Sequence, residues 1–264
     1  MHLKNRWIVS LLLVVVFLLV HYLHYPFAYL IFGTERYNSL PPEARLLMVQ
    51  GTGLVICLLA TYLLAGRSFQ NALHLLGLRR GLLQALAAAF LCCLPMLAGY
   101  WFVTDKQVSL SLSGIATGAL WAGFNEEIVF RGFLLGLLVR LAGWNFWAAL
   151  LLPSAVFGLG HLYQAASPAE ALQVFLFTAT ASVGFALFYL MWGWNLWFPL
   201  FMHVLMNLSW VLYDAGENVL GNASLNVPRL ITIVLAILAS LLVMRKNRQP
   251  WKSLLSGKIT VNQD

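Results

Sequence analysis

The sequence predicts an all-α, polytopic membrane protein of about eight transmembrane helices, built around a four-helix catalytic core. Composition is the first reason: of 264 residues, 61% are hydrophobic and only 9% charged, and the mean hydropathy is +0.81. Soluble domains carry about 25% charged residues, so a water-soluble enzyme, a disordered chain and a nucleic-acid binder are all excluded. The second reason is a series of apolar runs near the 20 residues that a helix needs to cross a bilayer. The third is the placement of basic residues. The net charge of +7, from 16 Lys and Arg against 9 acids, is read as membrane orientation. Cys57, Cys92 and Cys93 all lie in apolar runs, so no disulfide or zinc-ribbon framework is expected.

Eight segments qualify as spans, at about 7–32, 46–65, 82–103, 114–140, 145–163, 170–191, 195–214 and 226–244. The first resembles a signal peptide, with Lys4 and Arg6 ahead of an apolar run from Trp7 to Val20. No small-x-small cleavage site follows that run, so it reads as a retained anchor, ended or kinked at Pro26. With eight spans, one face holds Lys4, Arg6, Arg67, Arg79, Arg80, Arg140, Arg245, Lys246, Arg248, Lys252 and Lys258, against Arg36, Arg45, Lys106 and Arg229 on the other. The positive-inside rule then puts both termini in the cytoplasm. Trp144, Trp147, Trp192, Trp194 and Trp197 cluster at segment ends, as interfacial aromatics do. Short loops and the lack of an organelle signal favour a bacterial inner (plasma) membrane. The organisation expected is three N-terminal spans in 1–110, a four-span core in 111–214, and a last span with a basic tail in 215–264.

Glu126, Glu127 and Arg131 lie near the middle of segment 114–140. At about 2.5–3.5 kcal/mol each, they oppose insertion by roughly 8–10 kcal/mol together, so they must face protein or water. Glu127 and Arg131 are i,i+4 neighbours on a helix and suit a carboxylate–guanidinium pair. Glu126 points about 100° away from Glu127 (one residue on an α-helix), which leaves its carboxylate free for other work. A purely structural charge cluster accounts for the pair but poorly for Glu126. Two more i,i+4 pairs, Phe157 with His161 and His203 with Asn207, sit in segments 145–163 and 195–214. A carboxylate beside an imidazole activates water as a general base. A second imidazole and an amide donate to a developing oxyanion.

The three motifs, Glu126-Glu127-xxx-Arg131, Phe157-xxx-His161 and His203-xxx-Asn207, resemble in order and spacing those of the CPBP intramembrane protease family. That family includes CAAX prenyl proteases and the Abi-like bacteriocin-processing or self-immunity proteins. The resemblance covers about residues 114–210. It implies an intramembrane endopeptidase cutting a membrane-anchored or lipidated protein or peptide near the membrane surface. Glu126 and His161 would activate the water, His203 and Asn207 would form the oxyanion site, Glu127 and Arg131 would hold the cluster together, and Phe157 would shape the cavity. No metal or other cofactor is expected. A zinc metalloprotease is the alternative, since two His and two Glu can ligate Zn²⁺, although Asn207 is a poor ligand and Arg131 disfavours a nearby cation.

Other protease chemistries lack their motifs: there is no HExxH, no GxSG-like nucleophile and no GxGD. The competing reading is a non-catalytic immunity or regulatory protein, or a proton-coupled transporter using the same Glu and His side chains. A transporter is expected to show repeat symmetry, and none is visible. One conflict stands in the sequence. Straight helices place His161 and His203 at different depths from Glu126, unless Pro153 or Pro199 breaks its segment.

Overall fold

A computed structural model describes residues 6–22, 26, 29–30, 33–247 and 251–255. Lys4, Arg248, Lys258 and part of the first expected segment (23–25, 27–28 and 31–32) lie outside the described residues. The described chain is helical, with no strands. Helices α1 (Arg6–Tyr22), α2 (Thr34–Asn38), α3 (Pro42–Leu64), α4 (Phe69–Leu76) and α5 (Leu82–Val103) come first. A continuous helical run over 112–140, here α6, follows. Then come α7 (Phe146–Gly160), α8 (Pro168–Met191), α9 (Trp197–Leu212), α10 (Ala223–Lys246) and α11 (Trp251–Leu255).

Each of the eight expected segments overlaps a helix, the first of them, 7–32, through α1 to Tyr22. Among the described residues, five helices are long and apolar enough to cross a membrane; α1 and α9 are shorter, and α6 is interrupted by wider π-helical turns at Ile115–Trp121 and Glu127–Gly136. With the family match reported below, this is a multi-pass membrane protein. Large apolar side chains face outward along α1, α3, α5 and α10, which suits lipid rather than water.

The helix ends sort onto two faces. The N-terminal end of α1 meets the α6–α7 turn, where Trp144 Nε1 donates to Ser10 Oγ at 2.7 Å. The α8–α9 turn lies beneath the 77–81 loop: Leu196 N donates to Gly77 O at 2.9 Å, and Trp197 Nε1 donates to Leu78 O at 3.1 Å. The tail joins them, since Trp194 Nε1 donates to Leu254 O at 3.3 Å. Several of the tryptophans expected at the interface therefore stitch this face together, with Trp194 itself buried. The loop at 66–81, expected as a polar connection, carries α4, capped by Ser68 Oγ accepting from Asn71 N and ended by left-handed Gly77. On the opposite face, Ser109 N donates to Leu212 O at 2.7 Å, and Arg229 Nη1 donates to Val219 O at 2.8 Å.

These contacts bear on the depth conflict. Pro153 lies within α7, and the helix runs through it. Helix α9 has 16 residues, about 24 Å long. Its start is buried under the 77–81 loop, and Pro199 lies in its first turn without breaking it.

Candidate active site

Two small-residue pairs on α6, Gly114-xxx-Gly118 and Gly132-xxx-Gly136, are contact points. A Cβ on Gly114 would lie 3.1 Å from Val211 Cγ1, and one on Gly136 would lie 2.9 Å from Tyr189 Oη. Gly123 makes the closest approach to α9: a Cβ there would fall 2.6 Å from Val204 Cγ2 and 3.0 Å from Val204 N. Backbone therefore packs on backbone one turn from the glutamates, as small residues permit. This contact carries His203, the neighbour of Val204, up to α6.

The i,i+4 pair expected on α6 forms. Arg131 Nη1 stands 3.0 Å from Glu127 Oε1, and both side chains are buried. The guanidinium Cζ lies 4.7 Å from the Phe157 ring centroid and 5.5 Å from that of Phe185, so ring faces supply the cation-π contacts that replace water. His203 Nδ1 is 2.8 Å from the same Glu127 Oε1, while its Nε2 is 3.6 Å from Glu126 Oε2. Phe185 stacks on the imidazole with centroids 4.8 Å apart. A carboxylate on Nδ1 requires a proton there, so His203 donates to Glu127.

Glu126 is set apart from this cluster. Its side chain is 21% exposed where Glu127 is 0%, and it lines a cavity of about 550 Å³ between α1, α3, α6 and α7. His161 and Phe157 line the same cavity. His161 sits just past the end of α7 and not within a helix. Its Nδ1 donates to the Phe157 carbonyl at 2.7 Å, which fixes the tautomer and leaves Nε2 with its lone pair. Phe157 packs edge-on against Phe130 at 5.2 Å and tilts over His161 at 4.5 Å.

The structure thus joins Glu126, Glu127, Arg131 and His203 through direct contacts, and joins Glu126, His161 and Phe157 through a shared cavity. Asn207 lies one turn beyond His203; its Nδ2 donates to Gly118 O at 3.2 Å, and it is not among the cavity-lining residues. Sequence reading passed over Asn125 and Gln50, whose side-chain oxygens are buried without a protein partner and which both line the cavity. A lone amide in an apolar span was the available signal for each. Gly123 gave no such signal, because its role depends on which helix faces it.

Residues 107–209 match the family model described as Type II CAAX prenyl endopeptidase Rce1-like. This segment is Rce1-like. The match agrees with the resemblance to the CPBP family read from the three motifs, and an Rce1-like family implies peptidase activity on a membrane-associated protein. No curated protein and no solved structure matches the chain. The Rce1-like segment contains all the motif residues, and it ends inside α9, two residues after Asn207.

Proposed function

We propose that the protein is an intramembrane endopeptidase that hydrolyses a peptide bond of a membrane-anchored or lipidated protein or peptide by a water-activated, glutamate-dependent mechanism. The observation that carries this reading is the division of labour between adjacent carboxylates. Glu127 is buried and spent on Arg131 and His203, while Glu126 reaches a cavity that it shares with His161. Water held between Glu126 and His161 Nε2 gives up a proton to them, and its oxygen attacks the scissile carbonyl carbon. The resulting oxyanion accepts from His203 Nε2–H, whose nitrogen stands 3.6 Å from Glu126 Oε2; Asn207, outside the cavity and engaged with Gly118 O, serves as second donor only on the family resemblance. The C–N bond then breaks, and the proton taken from water passes to the leaving amine.

Family analogy also raises zinc. The donors do not fit it: among the described residues, no group of three or more His, Cys, Asp or Glu side chains stands where it could hold a metal ion, and Glu127 is already engaged. Structural zinc takes four ligands and catalytic zinc three plus water, so the proposed mechanism uses these side chains without a metal. We place the protein in a bacterial inner membrane with both termini in the cytoplasm, an orientation supported by the basic residues gathered on the face with the start of α1 and α11.

The test is cleavage of membrane-anchored peptides by purified protein, comparing wild type, Glu126→Ala and His203→Ala, each with and without a strong zinc chelator. Loss in both variants together with indifference to chelator supports the mechanism. Loss on chelation, restored by zinc, turns the site into a metal centre. Variants as active as wild type sink the assignment.

A further inference from the structure

The cavity at Glu126 lies in the half of the molecule away from the start of α1 and from α11. Its rim is made by His21 at the close of α1, Tyr37 on α2, Arg45 in the first turn of α3, and Tyr163 just past α7. All four belong to the face opposite the one where the start of α1, the 66–81 loop, the two short turns and α11 come together. The face with the chain ends holds Arg6, Arg67, Arg79, Arg80, Arg140, Arg245, Lys246 and Lys252 among the described residues, against Arg36, Arg45, Lys106 and Arg229 on the cavity side. That bias marks the cytoplasmic side.

The wall chemistry narrows what enters. The side-chain oxygens of Gln50 and Asn125 are buried and lack any protein partner, and both lie on the cavity wall. A buried acceptor left unpaired costs about 1–3 kcal/mol, so the natural occupant brings N–H donors. An extended peptide backbone supplies them at regular spacing; an acyl chain supplies none.

We propose that this protein takes its substrate from the extracytoplasmic face, as an extended peptide segment beside a membrane anchor, with Gln50 and Asn125 accepting from its backbone N–H groups. The proposal rests on the proteolytic reading of the site for its second half only. A cytoplasmic C-terminus would meet the wrong face of the molecule.

The test uses full-length protein in intact cells. Tyr163→Cys at the rim, 82% exposed, and Phe69→Cys on α4, 69% exposed, are each treated with a membrane-impermeant thiol reagent; the three native cysteines are buried. The expected result is labelling of position 163 in intact cells and of position 69 only after permeabilisation. The reverse pattern overturns the proposal. This readout decides the face whether or not any peptide is cut, so failure of the protease reading leaves it standing. A second arm tethers one scissile segment to an anchor on either face. Cleavage on the outer face alone is expected, and cleavage on the inner face alone overturns the proposal. Gln50→Ala is expected to raise KM for the outer-face peptide about five-fold, the loss of one hydrogen bond worth about 1 kcal/mol. An unchanged KM removes the backbone contact.

Discussion

The Rce1-like segment and the helices that precede it use polar residues in opposite ways. Within 107–209, Glu127, Arg131 and His203 are buried and paired with one another, so each charge is answered by a named neighbour. In α1 and α3, which carry no recognised motif, Ser10, Thr52 and Thr61 are spent on hydrogen bonds to backbone carbonyls one turn back, the side-chain oxygen of Gln50 is left unpartnered, and His21 and Arg45 stand at the cavity rim. Yet those two helices build much of the cavity wall. The family match therefore covers the paired ionisable cluster, while the helices outside it build much of the wall of the cavity beside it. On the proposed reading, the chemistry resides in one region and the shape of its substrate in another.

The sharpest way to break this comparison is Glu126→Gln, which keeps shape and removes the base. Cleavage is expected to fall about 10²–10⁴-fold, the usual worth of a general base, with an unaltered folded fraction in detergent. Residual activity near wild type moves the chemistry elsewhere. Next in size is Arg131→Met. It leaves the Glu127 charge buried and unanswered, and breaking a buried pair by removing one partner costs about 3–5 kcal/mol. Loss of folded protein by thermal denaturation is the readout. The double change Glu127→Gln with Arg131→Met is expected to recover part of it.

Gly123→Ala forces a Cβ against Val204, and overpacking of this kind costs about 1–3 kcal/mol. Because Val204 adjoins His203, cleavage is expected to fall more than stability does; an effect on stability alone would detach this contact from the site. Gly53→Ala is the counterpart in the preceding helices. Its Cβ would meet Val20 Cγ1 at 2.6 Å, and Val is stiff at χ1, so α1 and α3 separate along the cavity wall. A change in KM with kcat retained is expected, and a change in kcat instead would place this wall within the reaction chemistry. The smallest expected effect is that of a strong zinc chelator on cleavage, which is none.

Much of this was legible in the residues. Spans follow from hydropathy because a bilayer leaves no alternative to internally bonded helices. The opposite fates of Glu126 and Glu127 follow from one residue's rotation on a helix. The pairing of Glu127 with Arg131 follows from i,i+4 spacing. What was not legible depends on partners distant in the chain. His203 faces both glutamates because Gly123 lets α9 approach α6. Asn207 is drawn to Gly118 O by the same packing. The 77–81 loop, just past a short helix, closes over the start of α9, a contact between segments far apart in sequence.

By itself, then, the sequence determined a many-helix membrane protein, the pairing of Glu127 with Arg131 and a Glu126 turned away from that pair, because each rests on local spacing or on transfer from water to lipid. Only the tertiary structure decided that Glu126 shares a cavity with His161, which imidazole reaches both glutamates and at which end of the helices the cavity lies. Those depend on where helices far apart in sequence touch, and hydropathy carries no term for that.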